Sequence, residues 1–300
     1  MSILGMGDVG MNVIGIRFRL HPLFALVAFA SVITGQFAEL AVLFCIVLIH
    51  ELGHVAAATG FGWKVREVQL LPFGGVAVVE QRGVPPLWQE LAVSLAGPLQ
   101  NGIMMLASAL LMELGVWSGP WGHFFLQANM LIALFNLLPV LPLDGGKVMQ
   151  AFLDLMLPYY RSLTAGAWIS LAMSAFIVLW SVWRAGSSGI QLNLLMIGIF
   201  LLYSNWMGLK HIPYQFVKFL AFRLHETEDP GRRQGSFSPV IVPSRSSVHD
   251  LLHLIRRNRH QLFYLVTPSG MPERVLSEKS VLRRFFSMDN NGDAQSRPFM

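Results

Sequence analysis

The residues best equipped for chemistry are His50, Glu51 and His54, in the run His50-Glu51-Leu52-Gly53-His54. On a helix, residues four apart share a face, so both imidazoles can reach one metal ion. Glu51, beside the first imidazole, is placed to act as a general base on a water at that ion. With nine His and ten Glu in the chain, random order would produce the pattern in roughly one chain in a hundred. Its setting raises the weight: it lies inside the apolar run Ala38–Phe61. Two imidazoles and a carboxylate in a membrane helix are costly and mark a functional site by default. The bland alternative is a buried polar network that only pins helices together.

Catalytic zinc needs a third protein ligand and an open position for water. His21 and His123 sit near the ends of apolar runs, where interfacial roles suffice. Asp144 is different. It lies in the stretch Asn136-Leu137-Leu138-Pro139-Val140-Leu141-Pro142-Leu143-Asp144-Gly145-Gly146, which interrupts an apolar run with two prolines and two glycines. Irregular backbone at membrane depth is tolerated where protein shelters it or a water-filled cavity adjoins it. A short carboxylate there can complete a His-His-Asp set, and an Asp that only caps a broken helix is the less favoured reading even of the residue taken alone.

These groups need helices to carry them, and the composition supplies membrane helices. Of 300 residues, 54% are apolar and 13% charged. Soluble domains have about 25% charged residues, so this chain lacks the polar surface to wet a compact globule. Disorder and fibrous repeats are excluded on the same ground. A span needs about 17–25 residues of helix, and six apolar runs qualify: Leu20–Phe37, Ala38–Phe61, Leu87–Leu114, a fourth from His123 past the break, Ala165–Trp183 and Gly189–Gly208. Lys and Arg favour cytoplasmic loops. A cytoplasmic N-terminus puts Arg17, Arg19, Lys64, Arg66, Arg82, Lys147 and Arg161 inside, with Arg184 as the exception, and both termini cytoplasmic. No secretory signal peptide is expected, and a single cysteine, Cys45, rules out an intramolecular disulfide.

Between the second and third runs, Val65–Leu71 and Val76–Glu80 are rich in β-formers and flank Pro72-Phe73-Gly74-Gly75, a strong turn signal. That predicts a hairpin able to dip into the membrane face. The remaining chain differs in charge. Residues 1–208 hold 8 Lys/Arg and 9 Asp/Glu, a net of −1, whereas residues 209–300 hold 14 and 8, a net of +6. The pattern divides the chain into an N-terminal extension (1–19), a membrane domain (20–208), a linker (209–235), a small α/β module (236–287) and a disordered tail (288–300). In the module, strands are expected at Pro239–Pro243, Gln261–Val266 and Arg274–Leu276, with helices at Ser246–His260 and Lys279–Phe286.

The motifs His50-Glu51-Leu52-Gly53-His54, Pro72-Phe73-Gly74-Gly75, Ala96-Gly97-Pro98-Leu99-Gln100-Asn101 and Asn136 through Gly146 together resemble the site-2 protease family of intramembrane metalloproteases. The likeness covers most of Arg19–Lys147, and is strongest to the family's sporulation branch. It implies an α-helical integral membrane protein of six transmembrane helices with a re-entrant β-hairpin, followed by a small α/β module similar to a cystathionine-β-synthase (CBS) module. It implies Zn(2+) held by His50, His54 and Asp144, Glu51 as catalytic base, and substrate contacts at Asn136 and at the hairpin tip, Pro72, Phe73, Gly74 and Gly75. A membrane-associated pro-sigma factor is the implied substrate, membrane inhibitor or regulatory proteins the implied partners, and the mother-cell side of the membrane around the forespore the implied location. ATP at the CBS-like module is a family-level expectation only.

Two readings from other classes compete. Broken helices and midplane polar groups also serve transporters, but no inverted repeat is visible and a carrier has no special need for Glu51 between two histidines. The basic tail, with Arg256, Arg257 and Arg259 beside Phe263 and Tyr264, resembles a nucleic-acid or acidic-lipid surface. A charge run is more often a solvated face, so no direct nucleic-acid binding is expected. His249-Asp250-Leu251-Leu252-His253 imitates the zinc run but lacks a third ligand, and reads as an amphipathic surface helix.

Overall fold

The structure, a computed structural model, describes residues 9–13, 16–20, 28–29, 31–71, 74–80, 84–117, 119–188, 192–228 and 237–288. Two compact units emerge: Met1–Leu138 with Leu143–Val148, and Pro139–Pro142 with Met149–Met300.

The first unit contains strands β1 (Val9–Val13) and β2 (Ile16–Leu20), helix α1 (Phe37–Gly60), strands β3 (Lys64–Leu71) and β4 (Gly74–Glu80), and helices α2 (Leu87–Glu113) and α3 (Pro120–Asn136). The first turn of α4 (Asp144–Met156) also belongs to it. The expected hairpin is present as β3 and β4, antiparallel, with Leu71 opposite Gly74. Gly74 and Gly75 therefore open a strand, where the sequence placed them in the turn, while Pro72 and Phe73 lie outside the described residues. The hairpin is half of a larger sheet. β1 pairs with β2, and β2 runs parallel to β3 with Arg17 opposite Glu67, giving the order β1-β2-β3-β4. Part of the segment expected as an N-terminal extension is thus sheet. β3 and β4 pack beside α1.

Close packing of α1 on α2 depends on small residues. A Cβ at Gly53 would lie 2.8 Å from the Ala96 carbonyl oxygen, so the two backbones meet at a distance only glycine allows. The buried face of α2 carries Ser94, Gly97, Pro98, Asn101 and Ser108, while Leu99, Leu106 and Leu110 face outward. An apolar exterior around a polar seam is the inverse of a soluble helix and suits lipid.

The second unit contains the rest of α4, helices α5 (Tyr159–Ser188) and α6 (Leu192–Glu228), and a C-terminal module of β5 (Phe237–Pro243), α7 (Val248–His253), β6 (His260–Val266), β7 (Pro272–Ser277) and α8 (Glu278–Met288). The Pro139–Pro142 break is sheltered as irregular membrane backbone must be. The Leu141 N–H donates to Ser170 Oγ (3.0 Å), and its carbonyl accepts from Asn205 Nδ2 (2.7 Å). The sheet order is β5-β6-β7, with a parallel first pair and an antiparallel second pair.

Among the described residues, four helical stretches are long and apolar enough to cross a membrane: Phe37–Gly60, Leu87–Glu113, Tyr159–Arg184 and Leu192–Glu226. The first expected span falls mostly outside the described residues, with helix at 28–29 and 31–33. The fourth is divided into α3, of 17 residues, and α4. Two other expectations are corrected. The linker over 209–235 is helical as far as Glu228, because Ile212, Phe216, Phe219, Leu220 and Arg223 continue one buried stripe past Gly208. The helix expected over Ser246–His260 is only six residues, capped by Ser247 and Asp250 in a reciprocal box and ended before a buried Ile255.

Candidate metal centre

α1 sets His50 and His54 one turn apart, with ring centroids 4.9 Å apart and nearly perpendicular planes. Each imidazole is held from behind. His54 Nδ1 donates to the Val93 carbonyl oxygen (2.7 Å), and His50 Nδ1 bonds Asn101 Oδ1 (2.5 Å), both on α2. Asp144 arrives from the first turn of α4, where Gly145 lets the chain approach the Leu137 and Leu138 carbonyls too closely for any Cβ. His50 Nε2 and His54 Nε2 are 3.2 Å apart, and Asp144 Oδ2 lies 3.2 Å from the first and 3.0 Å from the second. Lys147 Nζ engages the other carboxylate oxygen, Oδ1, at 2.9 Å.

This donor set fits zinc. Ligands about 2.0–2.1 Å from a tetrahedral ion stand about 3.3 Å from one another, close to the separations found. The His54 Nδ1 proton is committed to a carbonyl, so its Nε2 turns a lone pair toward the carboxylate, a pairing that asks for a cation between them. Backbone shape agrees. A Cβ at Gly97 would lie 2.6 Å from His50 Nε2 and collide with His54 Nε2, so glycine leaves the space in front of both nitrogens clear. His50, Glu51, His54 and Asp144 are 2%, 7%, 7% and 4% exposed, a degree of burial that water alone would not satisfy. Among the described residues, these three ligand side chains are the group able to hold a metal.

Glu51 and Asn136 share a cavity of about 310 Å³ with Val47, His50, Leu131, Ile132 and Phe135. Asn136 Nδ2 donates to the Ile132 carbonyl oxygen at 3.0 Å. The sequence-derived candidates His50, Glu51, His54, Asp144 and Asn136 thus lie in one unit, with His50 common to the cavity and to the three-donor cluster. Gly74 and Gly75 are in β4, beside α1, and Pro72 and Phe73 lie outside the described residues. The tail's imitation of the zinc run is occupied otherwise: Asp250 caps α7, and His253 stacks on Tyr160 at 4.2 Å. Sequence reading gave no role to Asn101, Asn129 or Lys147. Only Lys147, three residues after Asp144 on one helix face, carried a readable spacing signal.

The profile of peptidase family M50 matches residues 38–118 and 102–180. The stage IV sporulation protein FB of Bacillus subtilis (strain 168) is 32% identical over 273 residues, covering 91% of this chain and 92% of that protein. The chain belongs to peptidase family M50, the site-2 proteases. Zinc metalloprotease MJ0392 of Methanocaldococcus jannaschii is 29% identical, covering 83% of this chain and 72% of its own length. The solved site-2 protease from Methanocaldococcus jannaschii superposes with a TM-score of 0.55 at 26% identity, covering 68% of this chain and 95% of that one. Membership in family M50 makes the chain an intramembrane zinc metalloendopeptidase, with His50, His54 and Asp144 positioned for the ion.

Proposed function

We propose that this family M50 protease processes a membrane-associated pro-sigma factor during sporulation, with His50, His54 and Asp144 as zinc ligands and Glu51 as general base. Bound zinc supplies Lewis acidity, which lowers the pKa of a water and polarises a carbonyl. Glu51 takes the water proton and returns one to the departing amide nitrogen. Asn136 Nδ2 has a second N–H to offer a carbonyl oxygen in the same cavity, which suits substrate binding or oxyanion stabilisation. Lys147 holds the Asp144 oxygen that faces away from the histidines and so fixes the carboxylate. A helical substrate hides its carbonyls, so it must unwind and bind extended. The β4 edge, which pairs with no other strand among the described residues, favours holding such a segment by strand addition, with Pro72, Phe73, Gly74 and Gly75 as the proposed substrate contacts.

In this reading six spans keep both termini in the cytoplasm, and the C-terminal module is CBS-like and regulates or docks substrate. The observation that carries proteolysis over metal transport is Glu51, lining a cavity directly beside the three donors. The test is co-expression with a candidate pro-sigma factor, comparing wild type with Glu51→Gln and Asp144→Asn. Both variants are expected to lose cleavage, with Glu51→Gln retaining zinc. Undiminished cleavage in both overturns the mechanism. Cleavage of an anti-sigma factor in place of the pro-sigma factor reassigns the substrate and leaves the chemistry intact.

A further inference from the structure

Behind His50 lies a chain of buried amides that the reaction does not touch. Asn129 Nδ2 donates to the Phe125 carbonyl oxygen at 2.9 Å. Asn101 Nδ2 donates to Asn129 O (3.3 Å) and to Asn129 Oδ1 (3.4 Å). Asn101 Oδ1 faces His50 Nδ1 at 2.5 Å. Both asparagines are 0% exposed. We propose that Asn101 and Asn129 form a two-residue relay that fixes which nitrogen of His50 is offered to the metal.

The direction of each hydrogen bond sets the next. A backbone carbonyl can only accept, so Phe125 O fixes Asn129 with its NH2 toward α3 and its Oδ1 toward Asn101. Asn101 then meets two acceptors, Asn129 O and Oδ1, and must turn its own NH2 to them. Its Oδ1 is left for His50, which must supply the proton from Nδ1. The lone pair consequently sits on His50 Nε2, the nitrogen that faces His54 and Asp144. His54 receives the same instruction in one step from the Val93 carbonyl. α2 has no carbonyl bonded to His50 Nδ1, and two amides carry the polarity of an α3 carbonyl across to it. Were Asn101 reversed, its Oδ1 would abut the oxygens of Asn129, its NH2 would face His50 Nδ1, and His50 would carry its proton on the wrong nitrogen. Asn101 and Asn129 are positioning residues, acting through His50.

The proposal depends on the zinc reading only in taking His50 as a ligand, and the experiment separates the two. Purified full-length protein in detergent is titrated with zinc against a chromophoric chelator. Wild type that fails to bind overturns the ligand set itself. Given wild-type binding, Asn101→Leu is expected to weaken zinc by about 10–100-fold, as is typical when a ligand's hydrogen-bond partner is removed. Asn129→Leu should weaken it in the same direction by a smaller factor. Asn101→Asp restores an acceptor to His50 and should recover most of the loss. Unchanged affinity in both leucine variants, or no recovery with aspartate, overturns the relay. A second measurement needs no variant. In zinc-free wild type, at a pH where the ring is neutral, nitrogen-15 shifts should place the His50 proton on Nδ1. Finding it on Nε2 overturns the proposal.

Discussion

At Gly97 the room for a methyl group is already taken by the ligand nitrogens of His50 and His54. Gly97→Ala is therefore expected to purify with at least about tenfold less zinc, as when other shaping residues of a metal site are changed. Gly102→Ala, on the same helix with nothing within 4 Å of its added Cβ, is the control and should keep its zinc. Metal analysis of the two purified proteins checks this, and equal zinc in both would dismiss the steric role. The three residues positioned for a metal were legible in the sequence because a four-residue spacing and costly polar groups are local signals. Asn101 and Asn129 were not assigned roles because their meaning comes from a contact between residues 28 apart on different helices. An asparagine in an apolar run gives no clue to whether its amide is the support of a metal ligand or a bond to its own helix.

Buried charged groups join the C-terminal module to α6. Arg223 Nε donates to Glu278 Oε1 at 2.8 Å, Arg223 Nη2 to the Arg259 carbonyl oxygen at 2.8 Å, and Glu278 Oε2 accepts from the Gln261 N–H at 2.8 Å. Burial alone would push the Glu278 carboxyl up, but a hydrogen bond with His260 and the Arg223 charge together hold it below the usual carboxylate range. A depressed folded value means the pair contributes fully above the ordinary carboxylate range, and its contribution falls as pH drops through that range toward the lower folded value. Thermal unfolding of the module should accordingly weaken on acidification, and Glu278→Gln should flatten that acid limb. Arg223→Ala, which strands a buried carboxylate, should cost about 3–5 kcal/mol at neutral pH. An acid limb unaltered in Glu278→Gln would place the titrating group elsewhere. This docking was hidden in the sequence, since a net charge of +6 over 209–300 suggested a solvated tail and a polar linker. The helix through Glu228 is written instead in a buried stripe whose partners lie in the module. β1 and β2 were hidden for a similar reason: β2's parallel partner, β3, lies some fifty residues away.

At the scale of the whole chain, the basic module and the apolar body have different solvents but share buried ion pairs. Arg257 Nη1 reaches Asp154 Oδ2 at 2.9 Å, and Asp154 also accepts from Ser162 and Gln150. Deleting residues 236–300 consequently removes more than a docking surface, because it leaves Arg223 and Asp154 without Glu278 and Arg257. The deletion is expected to keep zinc but to lose cleavage of the proposed substrate and thermal stability together. Adding Arg223→Met and Asp154→Asn to the truncated chain should restore stability without restoring cleavage, if the module recognises substrate. Recovered cleavage in that triple change would assign the module a purely structural part. The burial of the three ligands has a kinetic corollary. Because His50 and His54 stand on α1, which packs on α2 at Gly53 and is faced there by Gly97, an ion held between them cannot diffuse out through the α1–α2 seam without the backbones parting. The cavity beside Glu51 then offers a lower-barrier route, and exchange of the metal with the medium should be governed by what fits that opening: a small bidentate chelator strips it at the rate it enters, a bulky one at the far slower rate at which the helices separate.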